Sequence, residues 1–547
     1  MIPLAEYQSR IQFFFNREDY DSLAGEPVGD TGEVRFGDLT YSPRKTTLLP
    51  PMMGDVVLAR ANGGGRGLKE LPGFLRRMLA AGGKKKMKKA PGGMGKRMLF
   101  LTNLGDMASL LLNAEEEAPE GVEAGAAENP SAAGDAATKR ETALYIHIPF
   151  CNLRCTYCGF FKNRAVDAEV IAYVDALLAE FRMLKEKGVW KHRTVTAVFF
   201  GGGTPSVLSG DQVRRIMDAV RDTRALAPDC EVTFESSIYD MDDRKFAACL
   251  DAGINRFSFG VQTFGTEERR ALGRPDTREQ VEERLRFFAA SGARIIMDLI
   301  YGLPGQTEEM LAEDIRTGIS CGIAGMDLYK LQILPNSPLA KAIAEGRTEC
   351  DRSDGHLQAL YLSAAALLEK EGCRHLSVCH WAVREDEESR YNTVVKNGTD
   401  LVAAGAFCGG RMGRYSYMKM PAVPRYIQLA EQGNWPVMGL RRQSCGYLLL
   451  ETVNGQMDTG LLDFTRWPSE QELPWEMLLA PLFNWWTSLG LLERQGECLR
   501  LTDRGAYYSR AMNRVLLCAL EYMLYGEPTA AELEQEKNMG DMMKNLR

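Results

Sequence analysis

The sequence predicts an α/β fold of six consecutive strand–helix units, followed by a small domain containing paired short strands. Between residues 142 and 335, apolar segments such as TAVFF and RIIMDLI alternate with amphipathic segments such as GDQVRRIMDAV. This alternation is typical of parallel sheets whose faces are covered by helices. Six units fit either a partial barrel or an open sheet, and in both the site lies where the strands end. After residue 445, helical segments precede two short strands around a turn, which indicates a winged-helix-like domain.

Composition excludes several function classes before any motif is considered. The 547 residues carry a net charge of −7, which gives no case for nucleic-acid binding, and we expect no nucleic-acid partner. The sequence contains no apolar run long enough to span a bilayer, and its start, MIPLAEYQSR, is unlike a secretory signal. Thirteen cysteines without an export signal indicate reduced thiols. We therefore expect a cytoplasmic protein without a membrane partner.

Shifts in composition divide the chain into six predicted regions. Segments rich in Gly, Lys, Ala and Glu before residue 141 bury too little apolar surface to form a core. The expected regions are an N-terminal element (1–58), a low-complexity linker or insertion (59–140), an α/β core (141–376), a connecting substrate region (377–445), the winged-helix-like domain (446–512) and a tail (513–547).

One group of cysteines has the spacing of a metal or cluster site. Cys151, Cys155 and Cys158 form a C-x3-C-x2-C pattern in a loop that follows a predicted strand. Thiolates are soft ligands suited to iron–sulfur clusters, and three of them leave the fourth iron of a cubane open. Zinc is the alternative, but a structural zinc site normally takes four protein ligands. His147 could be a fourth ligand, although its position inside a strand favours a packed histidine.

The segment PFCNLRCTYCGF resembles the signature of the radical S-adenosylmethionine (SAM) superfamily. This resemblance implies a partial (β/α)6 barrel and a [4Fe–4S] cluster held by the three cysteines. It also implies that SAM chelates the open iron and is cleaved to a 5′-deoxyadenosyl radical. Polar residues at successive strand ends fit this picture, because Glu235, Gln262 and Asp298 each stand at or near the end of a predicted strand.

The segments YIHIPFC, GGGTPS, FSFGVQTF and DLIYGLPGQT together resemble the coproporphyrinogen-III-oxidase-like (HemN-like) branch, several members of which bind two SAM molecules. Carried over by position, the resemblance assigns to the cluster-bound SAM the residues Tyr145, Gly202, Glu235 and Gln332. It assigns to the second SAM the residues Tyr157, Gly203, Thr204, Gln262, Arg274 and Asp298.

Three subgroups of that branch are possible. Oxygen-independent coproporphyrinogen III oxidases have a further cysteine where this chain has Phe160. Haem chaperones have an Arg-His-Asn-x-x-Tyr-Trp type motif, and the nearest match here is RYNTVVK, in which Tyr391 replaces the histidine. Both differences count against those two subgroups, although they stay as alternatives.

The region LSVCHWAVREDEESRYNTVVKNGTDLVAAGAFCGGRMGRYSYM resembles the anaerobic haem-degrading radical SAM methyltransferases, the ChuW/HutW group. The resemblance implies a C-methyltransferase that uses two SAM molecules to open haem to a linear tetrapyrrole with release of iron, supplied with electrons by a flavodoxin- or ferredoxin-type donor. The catalytic candidates are His380, Gln262 and Asp298. Since guanidinium and phenol groups suit propionates, the substrate candidates are Trp381, Tyr391, Arg411, Arg414, Tyr415 and Tyr417.

Overall fold

Six parallel strands form the centre of the computed structural model. It describes residues 139–159, 163–335, 337–413, 415–442, 445–468 and 473–525, together with five short strands nearer the start. Neighbours in the sheet are neighbours in sequence, as expected when each strand is followed by a returning helix. The strands are β1 (Arg140–Ile148), β2 (Arg193–Gly202), β3 (Leu226–Ser236), β4 (Arg256–Gln262), β5 (Arg294–Tyr301) and β6 (Gly325–Lys330). The predicted α/β class is confirmed.

Helices cover the outer face of these strands, and their starts are set by local capping. Ser209 and Thr277 each form a capping box, with Gln212 and Gln280 respectively, which satisfies backbone N–H groups that lack helical partners. The helices are α1 (Asp167–Glu186), α2 (Gly210–Asp222), α3 (Asp243–Asp251), α4 (Arg278–Ala289), α5 (Glu308–Ser320) and α6 (Asp354–Lys370).

Alternation along β1 separates the outer core from the barrel interior. Leu144, Ile146 and Ile148 are fully buried in the core cluster that includes residues of α1. Tyr145 and His147 are partly buried and point to the opposite, inner face. Along β1, the inner face therefore carries a tyrosine and a histidine, whereas the outer face is aliphatic.

The sheet continues beyond both edges of the six-stranded core. The short strand β7 (His380–Ala382) pairs antiparallel to β6, whereas β8 (Asp400–Ala404) pairs parallel to β1. Three antiparallel strands follow β8: β9 (Gly409–Met412), β10 (Tyr415–Lys419) and β11 (Val437–Arg442). The ends of this fourteen-stranded sheet, Arg374–His375 and Phe100–Leu101, do not pair with each other, so the barrel is partial and open.

Helices of the connecting and C-terminal regions complete the described structure: α7 (Arg390–Lys396), α8 (Val423–Glu431), α9 (Cys445–Thr459), α10 (Ala480–Ser488) and α11 (Asp503–Tyr525). The strands Leu492–Gln495 and Cys498–Leu501 form a hairpin, and Leu461–Leu462 adds a third strand. Helices followed by this hairpin match the predicted winged-helix-like pattern. Helix α11 continues through residue 512, so the expected start of the tail falls inside a helix.

The remaining described elements are short. They are the helices Thr266–Ala271, Pro338–Ala344 and Trp475–Leu478, the 3-10 turns Pro205–Val207 and Phe464–Arg466, and the paired strands Phe150–Cys151 and Asn163–Arg164. Nearer the start lie Pro27–Val28, Glu33–Phe36, Leu39–Tyr41 and Val56–Ala59, the last of which pairs with β11. Most of the predicted N-terminal element and linker, and the last part of the tail, lie outside the described residues.

Candidate active site at the barrel mouth

The cysteine loop lies at the carboxyl end of β1 and is fixed by hydrogen bonds from distant segments. The backbone N–H of Thr156 donates to the carbonyl of Leu272 at 3.0 Å, and the N–H of Leu339 donates to the carbonyl of Thr156 at 3.0 Å. Cys151 is buried and its sulfur accepts a hydrogen bond of 3.2 Å from the hydroxyl of Thr204. The loop is thus held by the segments that follow β4 and β6.

The three cysteines suit a cluster better than a single ion. Cys151 is buried, whereas Cys155 and Cys158 are partly exposed and lie close enough to Cys151 to affect the pKa of its thiol. Among the residues that the structure describes, no set of three or more His, Cys, Asp or Glu side chains is arranged around one metal ion. A cubane does not require such convergence, because each thiolate binds a different iron.

Three consecutive glycines at the end of β2 form a cradle that side chains would fill. Gly202 has a φ of +116°, and a Cβ there would lie 2.5 Å from the ring of His147. A Cβ on Gly203 would lie 2.5 Å from the carbonyl oxygen of Phe150. The cradle therefore depends on glycine both for backbone conformation and for space.

The residues predicted to contact the cluster-bound SAM meet beside this cradle. A carboxylate oxygen of Glu235 accepts a hydrogen bond of 3.2 Å from the N–H of Gly202, and burial, followed by the nearby Asp298, raises the pKa of Glu235 to about 8. The hydroxyl of Tyr145 lies 3.1 Å from Nδ1 of His147. The ring of Tyr391 lies 6.3 Å from that of Tyr145, so this substrate candidate joins the same group. Gln332 is exposed beyond the end of β6, and its SAM contact stays a prediction.

Four of the residues predicted to contact the second SAM form an adjacent group, whereas Gly203 and Thr204 lie in the cradle and beside Cys151. The guanidinium of Arg274 donates to the carbonyl of Gly260 at 2.6 Å and to the hydroxyl of Tyr157 at 3.3 Å. Gln262 adopts a φ of +74°, a conformation that is rare for a residue with a side chain. Asp298 accepts a hydrogen bond of 3.0 Å from Ser258, while burial, followed by Asp327, raises the pKa of Asp298 to about 7.

These groups fit the cofactors that the resemblance implies. Within the described chain, Oε1 of Gln262 and Nε of Arg274 are buried without a hydrogen-bond partner, and such atoms normally have one in a protein interior. The glycine cradle leaves room for backbone contact with a ligand, and three thiolates provide ligands for iron. Donors, acceptors and space are therefore present where a cluster and SAM would bind.

The structure places His380 in the amino-terminal part of the barrel, where it binds Asp327, the strand neighbour of Asp298. Its two ring nitrogens lie 3.1 Å from Asp327 and 3.0 Å from Glu387, and the side chain is 2% exposed. Burial alone would lower the pKa of His380, but Asp327 and Glu387 raise it to about 9. A histidine with both nitrogens bound to carboxylates does not present a free nitrogen to a substrate.

Most of the other substrate candidates are also held by contacts within the protein. Trp381 is fully buried and stacks on His375 with ring centroids 3.8 Å apart. Arg411 is buried and donates to the carbonyl of Thr399 at 2.8 Å, which differs from an arginine open to a propionate. The buried hydroxyl of Tyr417 accepts a hydrogen bond of 2.7 Å from the N–H of Ala403.

Two more candidates complete this set. Tyr415 is partly buried and packs against the core, whereas Arg414 lies outside the described residues, as does Phe160. The expected propionate site at residues 411–417 is therefore not formed by Arg411 and Tyr417, because hydrogen bonds within the sheet hold both side chains.

Two exposed aromatic residues at the mouth were not predicted from the sequence. Tyr329 lies on β6 close to Asp298, Asp327 and Glu235, with 43% of its surface exposed. The period of two along β6, which places Tyr329 on the same face as Asp327, could have revealed it. Phe407 is 38% exposed, and its ring lies 6.4 Å from that of His147. No periodicity marks Phe407, since it stands in a turn between two strands.

Comparisons with known proteins identify the family. The model of the Radical SAM superfamily matches residues 145–317. An anaerobilin synthase from Escherichia coli O157:H7 is 34% identical over 375 residues, which cover 68% of this chain and 83% of that protein. A heme chaperone HemW from Lactococcus lactis subsp. lactis (strain IL1403) is 29% identical over 293 residues, 53% of this chain and 75% of that protein.

The fold is also similar to that of a solved structure. The solved structure of coproporphyrinogen III oxidase (HemN) from Escherichia coli aligns with a TM-score of 0.58 and 23% identity, covering 70% of this chain and 91% of that one. The fold and the cysteine loop define a class of enzymes that use a [4Fe–4S] cluster and SAM. The chain belongs to the radical SAM superfamily, in its HemN-like branch. In the described part of the chain, no helix has the length and apolar character needed to cross a membrane.

Proposed function

We propose that this protein is a radical SAM C-methyltransferase that opens haem to a linear tetrapyrrole without O2, releases its iron and uses two SAM molecules. The observation that carries the proposal is the presence of two adjacent polar groups at one barrel mouth, one around Glu235 and one around Arg274. The similarity to anaerobilin synthase, which extends beyond the barrel, supports haem as the substrate.

The chain's own residues have distinct tasks in this proposal. Cys151, Cys155 and Cys158 hold the cluster, and when bound the reduced cluster with SAM supplies a 5′-deoxyadenosyl radical. Glu235 accepts hydrogen bonds from ribose hydroxyls, a role that a buried carboxyl with a raised pKa can fill in either protonation state. Tyr145, which lies beside His147 and Phe199, would border the nucleoside. The protein thus positions reactants and excludes water, while the cofactors carry the difficult chemistry.

The second group binds the methyl donor. The unpartnered oxygen of Gln262 accepts a hydrogen bond from this SAM, and the unpartnered nitrogen of Arg274 donates one. Asp298, with a pKa of about 7, can release or hold a proton at its carboxylate near neutral pH. A cytoplasmic location and a flavodoxin- or ferredoxin-type electron donor complete the proposal, because the cluster must be reduced by one electron at a time.

A haem chaperone of the same fold is the second candidate. Similarity to the heme chaperone HemW over 293 residues favours it. Tyr391 counts against it, because a tyrosine stands in place of the histidine of the chaperone motif and packs 4.6 Å from Phe199 inside the barrel. Such a chaperone would bind haem stably and leave the ring intact.

Anaerobic turnover distinguishes these functions. Reconstituted protein would be incubated with haem, SAM and a reductant, and the Soret band followed before mass spectrometry of the product. The methyltransferase proposal expects loss of the band and a product carrying one added CH2-derived unit. A stable Soret band together with bound haem would favour the chaperone. In a parallel incubation with coproporphyrinogen III in place of haem, loss of two CO2 would favour an oxidase. Either result would overturn the proposal.

A further inference from the structure

We propose that the inner face of the antiparallel extension beside the barrel mouth is an apolar shelf for one face of a planar tetrapyrrole. The apolar shelf consists of Phe407, Gly409, Met418 and Gly439. It deepens the function proposed above and rests on it, since the ligand is the haem macrocycle. No substrate candidate chosen from the sequence lies on this shelf.

Register across the extension sets which face these residues occupy. Met418 on β10 pairs with Gly409 on β9 and with Gly439 on β11, so the three residues lie side by side on one face. The neighbours of Met418 point the other way: Tyr417 contacts Trp435 and Lys419 pairs with the buried Glu180 of α1. Since α1 covers the outer face, Met418 points to the inner face.

Two glycines make this face flat. The side chain of Met418 extends over Gly409, whose Cβ position lies 3.9 Å from the Met418 methyl carbon. Gly439 lacks a side chain on the opposite side of Met418. Adjacent strands are about 4.8 Å apart, so three strands give a surface about 10 Å wide. A surface of that width suits a planar macrocycle better than a single aromatic ring.

Phe407 joins the shelf to the barrel mouth. It precedes β9 in a left-handed conformation, with a φ of +56°, between the buried residues Ala406 and Cys408. Its N–H donates to the carbonyl of Met420 at 3.0 Å, which fixes the turn against β10. A non-glycine residue in this conformation has a backbone cost that surrounding contacts must offset, and such sites often serve a function. The ring is held beside His147 at the mouth.

Exposure and chemistry identify the kind of ligand. Phe407 is 38% exposed and Met418 is 41% exposed, although both side chains are apolar. These two side chains lie at nearby register positions of the same extension, beside Gly409, and thioether and aromatic groups both pack well on π systems. A tetrapyrrole resting here would have one edge beside the mouth, where the two SAM groups meet. The shelf therefore positions the macrocycle for attack at that edge.

Variants of the exposed shelf residues test this inference. Met418→Glu places a carboxylate that the macrocycle would have to desolvate, and we expect the haem Kd to rise about tenfold or more. Phe407→Asn removes the ring while retaining a residue type that tolerates the left-handed backbone, and we expect a rise of about threefold or more. Cleavage of SAM to 5′-deoxyadenosine without haem should stay within about twofold of wild type for both.

The matched control is Met477→Glu. Met477 is 54% exposed in the C-terminal region, outside the extension, so the same chemical change should leave the haem Kd within about twofold of wild type. Thermal unfolding of each variant checks that the fold is retained. The Kd is measured by Soret titration of the full-length, cluster-loaded protein.

The outcomes separate the shelf from the proposed function. If wild-type protein opens haem but both shelf variants bind it with unchanged Kd, the shelf is wrong and the function stands. If wild-type protein binds haem without opening it while the shelf variants weaken binding, the shelf stands and the function is wrong. Absence of haem binding by the wild type would overturn both.

Discussion

The two ends of the barrel interior contain the same residue types and differ in how those residues are paired. At the mouth, Gln262 and Arg274 each keep a buried polar atom without a protein partner. In the amino-terminal part, Arg256 binds Glu387 at 2.9 Å and His380 binds both Glu387 and Asp327. Buried polar groups are normally paired, so the unpaired atoms of Gln262 and Arg274, beside the glycine cradle, favour a ligand there. Trp381 and His375 each keep an unpaired ring nitrogen as well, so an unpaired atom alone does not mark a ligand site.

The charges of the two ends also differ, although, besides burial, Asp327 of the amino-terminal network raises the pKa of both mouth carboxyls. At the mouth, burial raises the pKa of Glu235 to about 8 and that of Asp298 to about 7, so neither carboxyl is fully ionised at neutral pH. In the amino-terminal network, burial opposes ionisation of Glu387, but Arg256 and His380 lower its pKa to about 2. The mouth can therefore exchange protons with a ligand, whereas the network holds fixed charges that stabilise one another.

The largest expected effect comes from the cysteine loop. Replacing Cys155 with Ala should abolish both the visible absorbance of the cluster and the cleavage of SAM, because one iron loses its thiolate. Iron, acid-labile sulfide and 5′-deoxyadenosine would be measured on anaerobically reconstituted protein. The control is Cys498→Ala, a partly exposed cysteine of the C-terminal hairpin, which should retain all three. A Cys155→Ala protein that keeps iron and sulfide contradicts the ligand assignment.

Gln262→Met should impair turnover without impairing the fold. The side chain of methionine is similar in shape to that of glutamine, and both residues bear the same strain at this positive φ. Because Oε1 of Gln262 has no partner within the protein, its removal breaks no internal hydrogen bond. We expect haem opening to fall about 10- to 100-fold if that oxygen binds the methyl donor, since this corresponds to about 1.4–2.8 kcal/mol. Product formation and thermal unfolding would both be recorded, with the exposed Gln432→Met as control. Unchanged product formation would remove Gln262 from the site.

His380→Gln should lower the stability of the fold and leave SAM cleavage nearly unchanged, the opposite of Gln262→Met. Losing a buried cation between two carboxylates should lower the free energy of unfolding by about 3–5 kcal/mol. SAM cleavage per folded molecule should stay within about threefold of wild type, because the ring of His380 binds Asp327 and Glu387 rather than the cysteine loop or the residues around Glu235. Chemical denaturation and 5′-deoxyadenosine assays test both statements, with the exposed His192→Gln as control. A collapse of SAM cleavage with unchanged stability would restore His380 as a catalytic residue.

The same histidine predicts a dependence of stability on pH. Its pKa is raised in the folded state from 6.5 to about 9, so its stabilising contribution is complete below pH 6.5 and is lost as the pH rises through 9. The shift corresponds to about 3 kcal/mol. Between pH 6.5 and 9.5, wild-type protein should lose that much more unfolding free energy than His380→Gln. Equal losses for the two proteins would show that His380 is not charged in the folded state.

Tyr417→Phe should have the smallest effect. The hydroxyl of Tyr417 is hydrogen-bonded to the backbone of Ala403, so its removal should lower the free energy of unfolding by about 1–2 kcal/mol. The haem Kd should not change, because the side chain points away from the apolar shelf. Unfolding and Soret titrations check these values, with the exposed Tyr239→Phe as control. A large rise in the haem Kd would return Tyr417 to the substrate site.

Residues at strand ends could be located from the sequence because their positions depend on local patterns. Glu235 and Gln262 stand at or near the ends of strands that the hydrophobic pattern identifies, and parallel pairing then places them at one edge. The expectation was wrong for Asp298, which lies inside β5 rather than at its end. Residues 380–417 could not be located in this way. Their environments depend on strand pairs such as β6 with β7 and β8 with β1, which join segments far apart in the chain.

The sequence by itself determined the α/β class, the radical SAM family and the cysteine loop, because period, spacing and strand ends are local properties of the chain. Tertiary structure alone decided that His380 is enclosed by two carboxylates and that Met418 faces the inner side of the extension. The burial of a side chain and its hydrogen-bond partners are decided when segments far apart in the chain meet. Because burial removes water, a charged group is then either paired within the protein or available to a ligand.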